Sequence, residues 1–462
     1  MNGANGRIHI YRSIVRNGLE IRVGRKKKYL LTYPTSIWQE FPEVYRQTFA
    51  DSLTYFMTMH LSLVNAHSLV YHFPPPITEP FFFKGMIYSL GETVLTDSGN
   101  VTMTELLRLF YNKSFGTEFL GRPRYARFKN VNRNSWKRAV IPFSFGKDSL
   151  LTFALTRELG ITPYPVFFRE PHSAFENRHK AKLASRFFDE FDIDVNFYPL
   201  TAGWLRQTED KLWGWDLLLT QYTMLLIPFI FGIRSKYLFW AHEAGCNDTF
   251  IDREGFIVNP VFEQSAKWLL SSNAMAKALG CNAIFASLIE PLNDLAILKI
   301  LHFRYPEIGK YQLSCFADEE PSKTRRWCGI CSKCARIYIF LVALGIDPKR
   351  VGFTQVMLGK EKRRLFPVFP RKSGVLDSAY DQSGLGRDEQ ILAFTMAVER
   401  GVNGELIHEF KKMFGREARS RKKELKERFF SVYPSRTITY ELKKPLYTIY
   451  EEELKPLRTG SF

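Results

Sequence analysis

Past residue 138 the chain alternates short apolar runs with stretches of helical periodicity, and this alternation constrains the fold more than any other feature. Residues 139–143, 164–168, 195–198 and 237–241 read as strands, and residues 149–159 and 174–190 as helices. Strands separated by helices cannot pair as hairpins, so they require crossover connections and a parallel sheet with helices on its faces. The longest apolar stretch, residues 217–233, falls short of spanning length and contains Thr220, Gln221, Thr223 and Pro228, so it reads as a buried helix with no membrane span.

Between the first strand and the first helix of this series lies Pro142-Phe143-Ser144-Phe145-Gly146-Lys147-Asp148-Ser149. A strand-to-helix turn presents unpaired backbone N–H groups and the positive end of a helix dipole, a ready site for pyrophosphate. The Ser144 and Ser149 hydroxyls and the Lys147 ammonium add donors. Asp148 repels phosphate unless it brings Mg²⁺ or orients the loop. The Walker A spacing does not fit, because there the Lys directly precedes Ser or Thr. The run resembles the PP-loop of the ATP pyrophosphatase superfamily, S-G-G-x-D-S, through Ser144, Gly146, Asp148 and Ser149. The departure is Phe145, where that pattern has its first Gly. The resemblance implies an adenine nucleotide alpha hydrolase-like core in which residues Ser144, Phe145, Gly146, Lys147, Asp148 and Ser149 bind ATP.

Four of the six cysteines, Cys315, Cys328, Cys331 and Cys334, fall close together, while Cys246 and Cys281 stand apart. Such crowding in a reducing compartment reads as a metal site before it reads as disulfides. Four thiolates close a tetrahedral Zn²⁺ shell without water, which is a structural site. An iron–sulfur cluster is the rival. Arg325, Arg326, Lys333 and Arg336 surround the cysteines and favour the thiolate form.

Sixty-five Lys and Arg against forty-seven Asp and Glu give a net charge of +18, which favours a polyanionic partner. The N-terminus lacks a charged-then-apolar leader pattern, so a cytoplasmic chain is the expectation. Residues 7–32 alternate apolar and polar around Asn17-Gly18 and the basic run Arg25 to Lys28, as hairpin strands do. Residues 42–67 and 104–111 have helical spacing, and residues 122–138 form a basic linker or surface loop. Beyond the cysteines a loop-rich stretch runs to Arg387, followed by helices over residues 388–400 and 415–429. A nucleic-acid-binding protein with a zinc ribbon is the rival class. Its RNA contacts would be residues 122–138, with Tyr125, Phe128 and Trp136 for stacking, and Arg416 to Arg428. Glu417, Glu424 and Glu427 make the second run read better as a solvated charged helix.

Taken together, the loop and the C-x12-C-x2-C-x2-C pattern with Arg336 resemble 7-cyano-7-deazaguanine synthase over residues 139–345. A longer similarity is to the ATP-dependent UDP-N-acetylmuramoyl-L-alanyl-L-glutamate epimerase family. It is carried by Glu243, by residues 255–265 (G-F-I-V-N-P-V-F-E-Q-S), by Glu290-Pro291-Leu292-Asn293-Asp294-Leu295-Ala296 and by Arg326-Trp327-Cys328-Gly329-Ile330-Cys331-Ser332-Lys333-Cys334. Gly386-Arg387-Asp388-Glu389 is a weaker parallel. Both resemblances imply an α/β PP-loop enzyme with ATP, Mg²⁺ and Zn²⁺, acting on an anionic carboxylate-bearing or nucleotide-linked substrate. The carboxylate is activated as an acyl-adenylate, with epimerisation of a peptide-linked L-glutamate or amidation to a nitrile as the second step.

The implied organisation is an α+β domain over residues 1–135, a PP-loop domain over 136–310, a four-cysteine zinc subdomain over 311–350 and a loop-rich, helical, basic region over 351–462. Lys147, Asp148 and Glu243 are the candidate catalytic groups. Glu243 and His242 fall at the C-terminal side of a strand, where open α/β sheets place ligands. For His242, Glu263 and Gln264 a surface-turn role competes with a ligand role, and Asp294 reads as a helix-start residue.

Overall fold

The computed structural model of the chain describes residues 6–64, 68–96, 101–114, 116–122, 136–208, 213–315, 318–369 and 379–459. The fold is α/β. Numbering strands from the N-terminus, its centre is a sheet of five: β6 (Trp136–Pro142), β7 (Thr162–Arg169), β8 (Asn196–Pro199), β9 (Ser235–Trp240) and β12 (Ile284–Ser287). Their order across the sheet is β12-β9-β6-β7-β8 and every neighbouring pair is parallel, as the alternating pattern requires. The chain starts at the middle strand, works outward to β8, and returns across the sheet to β9. Strand order therefore reverses between β6 and β9, which opens a crevice beyond their C-terminal ends.

Side chains of β6 alternate between two cores. Ala139 and Ile141 join the buried cluster formed with helices Lys147–Glu158, Asp294–Phe303 and Ser332–Ala343. Val140 joins Val166 and Leu238 on the other face, under helix Leu218–Gly232. That helix is apolar on every side because it is enclosed by the sheet and by the N-terminal part of the chain, whose Trp38 and Phe49 belong to the same core. Among the described residues no helix is long and apolar enough to cross a membrane.

The N-terminal part carries a second sheet, β3-β2-β1-β4-β5, made of β1 (Arg7–Val15), β2 (Gly18–Val23), β3 (Lys27–Thr32), β4 (Ser68–Tyr71) and β5 (Thr117–Phe119). β1, β2 and β3 form the expected hairpins, with the first turn at Arg16-Asn17 because Val15 pairs with Gly18. β4 and β5 add to β1 in parallel. A small hairpin, β10 (Phe250–Ile251) with β11 (Ile257–Val258), completes the strands.

The reading of the chain after the cysteines is corrected in several places. Helix Ser332–Ala343 begins inside the cluster, its N-cap being Cys331, whose sulfur accepts from the Cys334 N–H. Thiolate capping stands in for the usual Ser, Thr, Asp or Asn, so sequence rules for helix starts pass over it. Helix Tyr440–Thr459, which the sequence reading does not place in the C-terminal region, runs through Pro445 and Pro456. Helices Gly384–Glu399 and Glu405–Phe430 start earlier than their apolar spacing indicates. The C-terminal region is clamped to the central sheet by Glu290, whose carboxylate accepts from the Ser435 hydroxyl (2.6 Å) and the N–H groups of Arg436 (2.8 Å) and Thr437 (3.0 Å). Glu290 is thus a structural carboxylate.

Candidate functional site

The turn after β6 runs from Phe143 to Gly146 and feeds helix Lys147–Glu158, whose N-cap is Gly146. Phe145 adopts a left-handed backbone conformation, φ 56°, one that glycine takes without cost and other residues rarely do. Its ring is fully buried, edge-on to Phe143 (4.7 Å between centroids) and to Phe187 (5.7 Å). The side chain therefore points down into the core and leaves the outer side of the loop to the backbone.

The loop is held from below by residues 313–314 and by Lys180. Leu313 N–H donates to the Phe145 carbonyl (2.7 Å), and the Lys147 N–H donates to Ser314 Oγ (3.0 Å). Lys180, buried in helix Ala174–Phe191, donates to the carbonyls of Ser144 and Leu313. Within the loop, Ser149 Oγ donates to the Gly146 carbonyl (3.2 Å) and accepts from the Ser144 N–H (3.2 Å). All six residues expected to bind nucleotide are thus brought into one turn at the crevice.

Lys147 does not extend into open space. Its ammonium lies 2.6 Å from Asp148 Oδ1 and 2.7 Å from Asp294 Oδ1, and the residue is 4% exposed. Arg336 approaches the other oxygen of Asp294 (3.6 Å) and pairs with Asp381 (3.2 Å). Burial pushes the Asp294 carboxyl up, but the Lys147 and Arg336 cations outweigh it and hold it below the usual carboxylate range. The same pairing, with Asp148 first, raises the Lys147 ammonium against its own burial. The Asp148 side chain is 31% exposed against 4% for Asp294, so Asp148 is the carboxylate of this group that meets solvent.

Glu243 follows β9, across the crevice from the loop. It caps the short turn Ala244–Asn247, accepting from Gly245 N–H (2.6 Å), and Cys246 Sγ lies 3.6 Å from its other oxygen. Burial, then the charge of Asp294, raise its pKa well above normal. Glu389, from helix Gly384–Glu399, accepts from Leu295 N–H (2.8 Å) and Tyr380 OH (2.5 Å), and burial with the nearby Asp294 charge pushes it to about 8. Asp294 is therefore both the helix-start residue expected and the centre of a buried charge cluster. Sequence reasoning does not find Tyr380 or Asp381 in this cluster. For Glu389 the only signal is faint, its place at the end of Gly386-Arg387-Asp388-Glu389.

The remaining candidates separate. His242 is buried beside Trp240, neither ring nitrogen has a hydrogen-bond partner among the described residues, and burial lowers its pKa to about 3, so it is neutral. Glu263 accepts from the Leu219 and Thr220 N–H groups (2.9 and 3.2 Å) and caps helix Leu218–Gly232, a structural role. Gln264 accepts from Cys246 Sγ (3.8 Å), and Asn259 donates to the Cys246 carbonyl (2.9 Å), so the motif over residues 255–265 buttresses the Glu243 turn.

The four cysteines converge. Their sulfurs lie 3.3–3.9 Å apart in the pairs 315–334, 328–331, 328–334 and 315–331, all four residues are buried, and the group is close enough to hold a metal ion. Four thiolates at 2.3 Å from one centre would sit about 3.8 Å apart in a tetrahedron. Gly329, φ 70°, makes the left-handed step between Cys328 and Cys331. The N–H groups of Cys328 and Cys334 point at the sulfurs of Cys315 and Cys331 (3.5 and 3.4 Å), as they do around bound metal. Among the described residues no other group of three or more His, Cys, Asp or Glu ligand atoms converges this closely.

Of the basic runs, residues 123–135 lie outside the described residues. On helix Glu405–Phe430, Arg421 pairs with Asp388 (2.8 Å) and Glu424 (2.8 Å), and Arg428 pairs with Asp388 (3.2 Å). Those two guanidiniums are therefore engaged within the chain. The chain matches no protein-family model, and no curated protein matches it.

Proposed function

We propose that this protein is a PP-loop enzyme that activates a substrate carboxylate with ATP, releasing pyrophosphate and then AMP. The observation that carries the reading is the backbone of Phe145. A residue that departs from the expected glycine nonetheless takes a glycine-like conformation and turns its ring inward, so the loop stays open to phosphate at the point where strand order reverses.

In the proposed reaction a carboxylate oxygen of the substrate bonds to the α-phosphorus of ATP while the bond from that phosphorus to the bridging oxygen breaks, and pyrophosphate leaves. The N–H groups of Asp148 and Ser149, in the first turn of helix Lys147–Glu158, and the Ser144 and Ser149 hydroxyls would stabilise the departing charge. Mg²⁺, when bound, would neutralise phosphate charge, and Asp148 is the exposed carboxylate that would hold it, one protein ligand being typical where phosphates supply the rest. Lys147 stands between Asp148 and Asp294, holds the Asp294 carboxyl below its usual range, and acts as a positioning residue. The cysteine cluster would hold Zn²⁺ in a closed shell, a structural role that ties the segment under the loop to helix Ser332–Ala343.

For the second step we favour epimerisation of a peptide-linked L-glutamate. Glu243, across the crevice, would take the α-hydrogen of the acyl-adenylate as a proton. Return of a proton from solvent to the opposite face, release of the abstracted proton from Glu243 to solvent, and attack of water on the acyl phosphate would then yield the inverted residue and AMP. Its raised pKa makes it a strong base once ionised. The test is incubation of the full chain with ATP, Mg²⁺ and a UDP-linked muramoyl dipeptide ending in L-glutamate. AMP and pyrophosphate are expected, and Asp148→Ala and Ser149→Ala should remove them without unfolding the protein. ADP and phosphate as products would overturn the assignment.

A further inference from the structure

A second concave site opens beyond the segment that supports the loop. It is a cavity of about 610 Å³ between helix Ala174–Phe191, the stretch around Tyr311 and the turn Pro348–Val351, with the buried Leu183 and Tyr311 in its wall. Arg186, Arg326 and Arg350 reach it from three separate elements. None of the three makes an ion pair with a carboxylate among the described residues, although Asp189 lines the same cavity. Lys310 is already matched by Glu190 (2.8 Å) and Glu307 (2.7 Å). With the cations Arg186, Lys310, Arg326 and Arg350 against the carboxylates Asp189 and Glu190, the lining carries an excess of positive charge. Arg186 and Arg326 stand near enough for like-charge repulsion, which adds to burial in lowering the Arg326 pKa to about 10.

We propose that this cavity is a binding site for a phosphate-bearing ligand of nucleotide size, held through its phosphate by Arg186, Arg326 and Arg350. A carboxylate engages one guanidinium fork, whereas a phosphate group has enough oxygens for forks arriving from several directions. The volume lies within the usual range of small-molecule sites. Arg326 is fixed in place at the cavity wall. Its Nη2 donates to the carbonyls of Lys310 (3.2 Å) and Gln312 (2.6 Å), and its Nε is buried with no hydrogen-bond partner among the described residues.

The same contact links the cavity to the loop. Gln312 Nε2 donates to Ser314 Oγ (3.2 Å), Ser314 Oγ accepts from the Lys147 N–H, and Leu313 N–H donates to the Phe145 carbonyl. An occupant that tightens Arg326 therefore tightens residues 310–314 beneath the PP-loop. The site itself stands on the arginines and does not depend on the adenylation reading.

The experiment is calorimetric titration of inorganic tripolyphosphate into the full chain carrying Ser144→Ala and Ser149→Ala, which removes the loop hydroxyls. One saturable site is expected to survive there. Arg186→Glu or Arg350→Glu, both at exposed positions, should weaken it about tenfold or more, and the pair should abolish it. Arg186→Lys with Arg350→Lys should keep part of the affinity. Hydrogen exchange should show protection of residues 183–190 and 310–315 on binding, lost in the double Glu variant. No saturable site in the Ser144→Ala, Ser149→Ala chain, or an affinity unchanged by both Glu substitutions, would overturn the proposal. Either result leaves the AMP-forming assay to be judged by itself.

Discussion

The ammonium of Lys147 lies 2.7 Å from Oδ1 of Asp294, joining the first residue of the helix after β6 to the first residue of the helix after β12. Two strands that are not neighbours in the sheet are thereby tied at their C-terminal ends, on the side of the crevice. The cation also separates Asp294 from Asp148, which it touches at 2.6 Å.

Removing that cation leaves two carboxylates facing each other with only the Arg336 guanidinium, 3.6 Å from Asp294, to offset them. Lys147→Met is expected to destabilise the fold by about 3–5 kcal/mol, the usual cost of breaking a buried pair from one side. Adding Asp294→Asn should recover part of the loss, giving a non-additive cycle in denaturant unfolding. Additive losses would mean that the two groups do not interact.

Glu389 carries a pH dependence of definite sign. Its folded pKa, about 8, lies above the unfolded value near 4.3, so the folded state binds the extra proton between these values. The stabilisation is complete below the unfolded value and is lost as pH rises toward 8, at no more than about 1.4 kcal/mol per pH unit. Glu389→Gln should flatten this decline in unfolding experiments between pH 5 and 8, and an unchanged slope would assign the dependence to other groups such as Glu243.

At Phe145 two terms oppose one another. Phe145→Ala loses a buried ring, about 3–5 kcal/mol, while keeping a side chain in a left-handed conformation. Phe145→Gly loses the same ring but relieves the backbone. The glycine variant should be more stable than the alanine variant by about 0.5–1 kcal/mol, despite the usual entropic cost of glycine. The reverse order would mean that the loop does not hold this backbone in solution.

The purified chain should contain about one equivalent of zinc and show no visible charge-transfer absorption. Cys331→Ser or strong chelation should release the metal and destabilise the segment carrying Leu313 and Ser314, since Ser314 directly precedes Cys315. Metal content indifferent to Cys331→Ser would remove the cluster from consideration.

If Glu243 is the base, Glu243→Gln should stop ATP-dependent exchange of the substrate α-hydrogen with deuterated solvent while AMP formation continues. Loss of both together would make Glu243 a positioning residue. Ammonia-dependent conversion of carboxydeazaguanine, with no exchange on any peptide, would move the protein to the nitrile-forming reaction.

Local signals are strong where chemistry and periodicity coincide. Strand β6, the turn through Ser144 and Gly146, and the spacing of Cys328, Cys331 and Cys334 are each contained within a few residues, so backbone and side-chain preferences alone determine them. The parallel sheet follows from the alternation of strands and helices, because helical connections permit little else. Strand order, and hence the crevice between β6 and β9, required the whole fold. So did the meeting of Lys147 with Asp294, of Asp294 with Arg336, and of Glu389 with Tyr380 and the Leu295 N–H, since charges distant in sequence attract only after apolar cores bring their elements together. The identical letters Glu243, Glu263 and Glu290 show the limit, because sequence singles out Glu243 only by its place after a strand and leaves the roles of Glu263 and Glu290 open. Tertiary packing alone makes Glu263 a helix cap and Glu290 a clamp, and sets Glu243 at the crevice beside Asp294, because a carboxylate's role is decided by which donors and charges share its low-dielectric surroundings.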